Sequence, residues 1–247
     1  MTFSTDIVPA WTTTDGVEIA GRHWEADRSH SREVAVVLAH GFTASSHETH
    51  VVALASTLAA AGYEVVSYDA RGHGASGGLS TLGDAERFDV AAAYGVAATI
   101  APRVVLVGAS MGAVAVLRHA AFAPAVDGVV VLSCPARWRL PRSAGGAAAV
   151  ALTRTRLGRH LAARQLGVRV APRWTAPAPP VELVGHVEGA LAIVHGERDR
   201  FIPPSAAREL HAVAPSARLR VVPGLGHGFA PLATEPLVRA IDWTLEN

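Results

Sequence analysis

Lysine is absent from the 247 residues, so all 22 basic side chains are arginine, a pattern read as the coding bias of a GC-rich genome and not as chemistry. Cysteine occurs once, at Cys134, so no intramolecular disulfide can form and nothing calls for an oxidising compartment. Charged residues are only 17% of the chain against 50% hydrophobic, which excludes a disordered chain and fits a sheet buried on both faces. No uninterrupted apolar stretch approaches the roughly 18 residues of a membrane span. The opening residues Met1–Asp6 lack the basic and apolar regions of a secretory signal. A formal net charge of +1 marks no dedicated nucleic-acid binder. The expectation is a cytoplasmic protein without an integral membrane span.

Short β-branched runs alternate with Ala- and Leu-rich stretches, the pattern of a parallel sheet wound through βαβ units. Strands are expected at Val17–Trp24, Val34–Ala39, Glu64–Tyr68, Val104–Val107, Gly128–Leu132, Ala190–His195 and Arg218–Val222. Helices are expected at Glu48–Ala61, Asp84–Ile100, Met111–Phe122 and Pro204–Ala214, and from Thr234 to Leu245. The alternation fails over residues 135–186, which hold no convincing strand but two helical stretches, Ser143–Thr153 and Arg156–Leu166. That segment is read as a small helical cap over the C-terminal edge of the sheet, where open α/β sheets place their sites. Residues 1–134 and 187–247 are then the α/β core.

Gly108-Ala109-Ser110-Met111-Gly112 reads G-x-S-x-G and lies between an expected strand and an expected helix. The pentapeptide by itself recurs by chance; the strand–turn–helix setting makes it specific. A sharp turn there strains the serine, needs small flanking residues, and aims the free N–H groups of the new helix at the serine oxygen. A serine hydroxyl is a weak nucleophile until a base removes its proton, and the base needs an orienting acid. Asp199, in the loop after His195-Gly196, is the preferred acid over Glu197, and the non-acidic residue after Gly128–Leu132 points the same way. His227, in Gly224-Leu225-Gly226-His227-Gly228, is preferred over His211, which lies inside a helix.

With these residues in their order, the sequence resembles the α/β-hydrolase superfamily across the chain outside the cap. The resemblance implies an α/β-hydrolase fold with catalytic Ser110, Asp199 and His227. It also implies an oxyanion hole from two backbone amides, that of Met111 and that of Phe42 in His40-Gly41-Phe42. Two such donors are worth roughly 3–4 kcal/mol each in other enzymes. Tyr68–Ser76 resembles the family loop that buttresses the oxyanion loop, and its G-x-G-x-x-G from Gly72 to Gly77 opens no helix, so dinucleotide binding is not expected.

Cys134, Trp138 and Trp174 are candidates for the substrate pocket. His47-Glu48-Thr49-His50 lacks the spacing of a metal-binding helix, and Glu86 and Asp89 are expected to face solvent. From Gly128 to Val181 there is no acid but nine arginines, leaving 13 arginines against all 21 acids elsewhere. Such a cationic segment either pairs with the acids of the core, the favoured expectation, or receives an anionic substrate, carrier protein or membrane.

The expected activity is cleavage of a carboxylic ester or related acyl compound through an acyl-serine, on a small-molecule substrate, with no cofactor and no metal. The resemblance is to small bacterial esterases and to monoacylglycerol-lipase-like or cinnamoyl-esterase-like members. A thioesterase or acyltransferase, a non-hydrolytic lyase, and a ligand-binding member of the fold share the same site and stay open. A dehalogenase or epoxide hydrolase would carry aspartate at position 110.

Overall fold

A computed structural model describes residues 5–123, 126–138, 150–151, 153–173, 175 and 177–247. Its centre is an eight-stranded sheet in the order β1-β2-β4-β3-β5-β6-β7-β8. The strands are β1 (Thr5–Thr12), β2 (Glu18–Trp24), β3 (Val34–Ala39), β4 (Glu64–Tyr68), β5 (Arg103–Ala109), β6 (Gly128–Leu132), β7 (Leu191–Gly196) and β8 (Arg218–Val222). β1 and β2 pair antiparallel and β2 joins β4 antiparallel, while β3 to β8 run parallel with β4. Among the described residues seven α-helices flank the sheet: α1 (Thr49–Ala60), α2 (Glu86–Ile100), α3 (Met111–Phe122), α4 (Arg156–Gln165), α5 (Pro180–Leu183), α6 (Ser205–Val213) and α7 (Thr234–Glu246).

The continuous apolar runs explain why both faces are covered. Successive residues of a strand point to opposite faces, so an uninterrupted apolar strand needs a helix layer on each side. Along β3, Ala35, Val37 and Ala39 enter a core shared with Val90 and Ala93 of α2 and Leu117 of α3. Val34, Val36 and Leu38 enter the opposite core with Leu54 and Leu58 of α1 and Leu237 and Ile241 of α7.

The sequence reading omits β1. Its Thr5-Asp6-Ile7-Val8-Pro9 run contains a proline, which a strand tolerates at an edge. β1 is such an edge strand, and its register with β2 shifts between Val8 and Trp11. The expected helix Ser143–Thr153 falls largely outside the described residues; residues 150, 151 and 153 of it are helical. The segment after β6 is tied to the loop after β4 by a bridge between Ser80 and Val170, and by Arg169 N–H donating to the Gly72 carbonyl at 2.7 Å.

One expectation is corrected here. Glu86 and Asp89 are fully buried, not solvated. The chain after β4 passes under α2, and its backbone groups are cut off from water, so the two carboxylates become their acceptors. Glu86 accepts from Ser80 Oγ, Thr81 N, Thr81 Oγ1 and Gly83 N at 2.6–2.9 Å. Asp89 accepts from the Arg71 backbone N–H and from its Nε, both at 2.8 Å, while Asp15 takes the two terminal nitrogens of the same guanidinium. Some of the arginines after β6 have partners among the described residues. Arg137 meets Glu209 at 3.3 Å, and Arg169 spends a guanidinium N–H on the Ser76 carbonyl. Arg156, Arg164 and Arg173 are exposed and make no ion pair among the described residues. Arg139 and Arg142 lie outside the described residues.

The loops after β3 and β4 interlock at the C-terminal edge of the sheet. Buried Asp69 accepts from Ser46 N at 2.7 Å and from Ala75 N at 2.9 Å. Gly74 sits at φ 45°, and a Cβ there would come 2.0 Å from Asp69 Oδ2, so the glycine in this stretch serves close packing and not a phosphate. His40 accepts from Ala70 N through Nε2 at 2.9 Å and donates from Nδ1 to the Gly41 carbonyl at 2.8 Å. Desolvation, joined by the neighbouring His73, holds the His40 imidazole down to about 4, so it stays neutral.

These arrangements give two expected outcomes. Asp89→Ala leaves the buried Arg71 Nε and backbone N–H without an acceptor, while Asp15 keeps the terminal nitrogens, and lowers stability by about 2 kcal/mol in urea unfolding. Glu25→Ala, which removes the exposed partner of Arg28, changes it by less than about 0.5 kcal/mol. The second outcome concerns acid. An imidazole that titrates at about 4 when folded and near 6.5 when unfolded binds more protons in the unfolded chain between those values. Its contribution is therefore complete above pH 6.5 and is lost as the pH falls toward 4. Urea unfolding at pH 7, 5.5 and 4.5 should show a steeper loss for the wild type than for His40→Asn, and parallel curves would refute it.

Candidate active site

Ser110 is at the turn between β5 and α3, with φ 54° and ψ −112°, a conformation a side-chain-bearing residue rarely adopts. The turn closes because nothing stands beside it. A Cβ on Gly108 would lie 2.4 Å from the Gly112 carbonyl oxygen, and one on Gly112 would lie 2.2 Å from the Ala39 oxygen. Ser110 N–H donates to the Leu132 carbonyl at 2.9 Å, which pins the turn to the end of β6. The side chain is left half-buried at the C-terminal edge of the sheet, over the N-terminus of α3.

The three residues singled out for the triad come together. His227 Nε2 is 2.9 Å from Ser110 Oγ, and His227 Nδ1 is 2.7 Å from Asp199 Oδ2. The other carboxylate oxygen of Asp199 accepts the N–H groups of Phe201 and Ile202, each at 2.9 Å. Burial alone would raise the Asp199 carboxyl. The hydrogen bond and charge of His227, with those two backbone donors, outweigh it and hold the group below its ordinary value. Glu197 stands apart: it is exposed and accepts from Gly224 N at 3.2 Å. The loops bearing Asp199 and His227 are joined by Arg198 N–H to the Leu225 carbonyl, at 2.9 Å.

Phe42 and Met111 both border Ser110. A Cβ on Gly41 would come 3.4 Å from the Ser110 Cβ, so the His40-Gly41-Phe42 loop passes directly over the serine. The Phe42 ring packs edge-on against His73, with centroids 5.8 Å apart. Met111 is the first residue of α3, and its N–H therefore has no acceptor within the helix. A cavity of about 230 Å³ opens beside Ser110, walled by Phe42, Leu82, Met111, Val114, Trp138 and Val150. Trp138, one of the expected pocket residues, is in that wall, with its indole N–H on the Pro177 carbonyl at 2.6 Å. Trp174 lies outside the described residues.

Cys134 is a correction. It lies two residues past the end of β6, and its side chain turns into the core on the α2 and α3 side and does not line the cavity. Burial pushes its thiol far above the ordinary range, which removes any thiolate chemistry. Its neighbour Ser133 is the residue that faces the site: at φ 52°, its Oγ accepts from Gly228 N at 3.2 Å, beside His227. No sequence signal marks that contact. Among the described residues no three His, Cys, Asp or Glu side chains gather as a metal site would require, and no helix is long and apolar enough to cross a membrane.

Comparison with known proteins accords with this geometry. Over 92% of both chains, the protein is 30% identical to a monoacylglycerol lipase of Mycolicibacterium smegmatis. It is 26% identical to a non-heme haloperoxidase of Rhodococcus erythropolis, over 90% of this chain and 93% of that one. Its fold superposes on an esterase of Pyrococcus furiosus with a TM-score of 0.77 at 22% identity, covering 98% of this chain and 94% of that one. An esterase of a Rhodococcus species aligns with a TM-score of 0.66 at 21% identity, over 96% of each chain. The model of the alpha/beta hydrolase family matches residues 36–242. From β3 to the last turns of α7, the chain belongs to the alpha/beta hydrolase family.

Proposed function

We propose that the protein is a serine hydrolase that cleaves a carboxylic ester or related acyl compound through an acyl-serine intermediate. The observation that carries the reading is the unbroken hydrogen-bonded line Ser110–His227–Asp199 at a strained strand-to-helix turn. His227 takes the Ser110 proton as Oγ attacks the acyl carbon, and Asp199 fixes the imidazole tautomer and stabilises its cation. The tetrahedral oxyanion forms where the Phe42 and Met111 amides converge, and fixed donors there act without reorganisation. Collapse expels the alcohol, protonated by His227. A water activated by the same imidazole then attacks the acyl-serine and returns the free enzyme. The chain's own groups carry every step.

The acyl group fits the cavity beside Ser110. At about 230 Å³ it exceeds the roughly 150 Å³ that holds a benzene molecule, and its walls are apolar. An ester with water as acyl acceptor is the simplest chemistry these groups support.

One observation favours a second reading, in which the acyl donor or its carrier is anionic. Arg156 and Arg164 project from α4 without acidic partners among the described residues. Such charges attract an anionic partner and are screened over about 10 Å in 0.1 M salt.

Ser110→Ala is expected to abolish hydrolysis of p-nitrophenyl butyrate and labelling by a fluorophosphonate, with an unchanged melting temperature. Asp199→Asn should lower kcat by about 10⁴-fold, and Glu197→Gln should stay near the wild type. Labelling that persists at another serine, or a more damaging Glu197 variant, would sink the assignment. For the second reading, Arg156→Glu with Arg164→Glu is assayed on a neutral ester and an acidic acyl thioester at two salt concentrations. A KM raised for the thioester alone supports an anionic donor; an unchanged activity ratio removes it.

A further inference from the structure

Asp199 is useful to His227 only if its carboxylate is held at one angle, yet it stands in a loop, Glu197 to Pro204, outside any helix or strand. Two backbone donors, Phe201 N–H and Ile202 N–H, grip its Oδ1. That grip depends on where the backbone of Ile202 lies, and something must fix that residue in turn.

The fixing group is the side chain of His195, near the end of β7. It is fully buried, and its Nε2 is 2.9 Å from the Ile202 carbonyl oxygen. A carbonyl only accepts, so Nε2 carries the proton and donates. Nδ1 is buried with no partner among the described residues, which bars a second proton there. Nε2 also lies 3.6 Å from Asp199 Oδ2, beyond hydrogen-bond reach, so its single N–H goes to Ile202 and leaves Oδ2 to His227. The charged or titratable groups that face His195 are Asp199 and His227 from the site and Arg208 from α6. Burial, the largest influence, holds the His195 imidazole below its ordinary value and in the neutral state.

We infer that His195 is a positioning residue for the acid: its Nε2–H anchors the Ile202 carbonyl and so holds the backbone of that residue, whose N–H on the preceding peptide, with that of Phe201, sets the direction in which Asp199 Oδ2 meets His227. The inference rests on the proposed Ser110–His227–Asp199 reading and adds a fourth residue to it. Nothing in the chain order singles out His195 for this role. It ends a strand and stands four residues before the acid, where a buried histidine is otherwise only packing.

Three substitutions separate anchoring from packing. Gln places a donor where Nε2 stands, Asn places its amide nearer Nδ1 and out of reach of Ile202, and Met fills the volume with no donor. With p-nitrophenyl butyrate, His195→Asn and His195→Met should lose roughly tenfold to a hundredfold in kcat at unchanged KM, the scale of a small misplacement at a reacting centre. His195→Gln should stay within about threefold of the wild type, because the donor is retained. The acid limb of the kcat/KM profile should move to lower pH in the Asn and Met variants, since a displaced carboxylate stabilises the His227 cation less. The low-field proton resonance of the His227–Asp199 hydrogen bond should weaken in those variants and persist in His195→Gln. Melting temperatures identify a variant that fails to fold, and the Asn–Gln comparison decides even if the Met variant does not fold. Equal behaviour of Asn and Gln, or a lowered melting temperature with an unmoved pH limb and resonance, overturns the inference. Loss of the proposed triad reading is recognised separately, by a wild-type resonance that survives Asp199→Asn or by full activity of Ser110→Ala.

Discussion

At Ser110 the chain turns from β5 into α3 with a positive φ that a serine does not choose. Such a conformation costs on the order of 1–3 kcal/mol and persists only where the surroundings over-determine it. Here they do so on three sides. Gly108 and Gly112 let the strand, the helix and the end of β3 approach within distances that no Cβ would permit. The Ser110 N–H is held by β6, and the first helical bond runs from Val114 N–H to the Ser110 carbonyl. The hydroxyl is thereby directed out of the sheet, beside the unpaired amides at the start of α3. Each other part of the site has its position relative to that turn.

The loops that complete the site face a common physical problem. They end parallel strands at a crowded edge where water is largely excluded, so their backbone groups need protein partners. The molecule answers with buried polar side chains. Asp69 serves the loop after β3, Glu86 and Asp89 serve the loop after β4, and His195 and Asp199 serve the loop after β7. The carboxylates act as acceptors and the histidines stay neutral, as single donors or donor–acceptor pairs. Buried networks of this kind define one arrangement because a half-satisfied alternative is costly.

The segment after β6 has two distinct sides. Trp138 and Val150 give the cavity beside Ser110 an apolar wall, while Arg156 and Arg164 of α4 are exposed. α4 buries only small residues, Gly158 and Ala162, against the body of the protein. A helix that contributes so little to the core lies close to the surface, where long cationic side chains remain hydrated. Exposed cationic side chains and an apolar cavity wall thus occur in the same segment of the chain.

The sequence by itself determined the parts that rest on local pattern. Uninterrupted apolar runs made β3, β5 and β6 central strands, because only a strand covered on both faces can bury them. Gly108-Ala109-Ser110-Met111-Gly112 announced the turn, because its steric demand falls on residues two positions either side. Chain order then put Asp199 and His227 after it, in loops whose composition suits a presented side chain. Tertiary structure decided what depends on distant partners. Glu86 and Asp89 look like the solvated face of a helix until the loop from Arg71 to Gly83 passes beneath them and needs their oxygens. Ser133 and Cys134 are adjacent and both follow the end of β6; a positive φ at Ser133 separates them, with the thiol in the core and the hydroxyl toward Gly228. β1 was not legible, because an edge strand with a proline and a register shift carries no alternation of its own. It is specified by the partner β2, and pairing between strands is a property no single stretch of sequence contains.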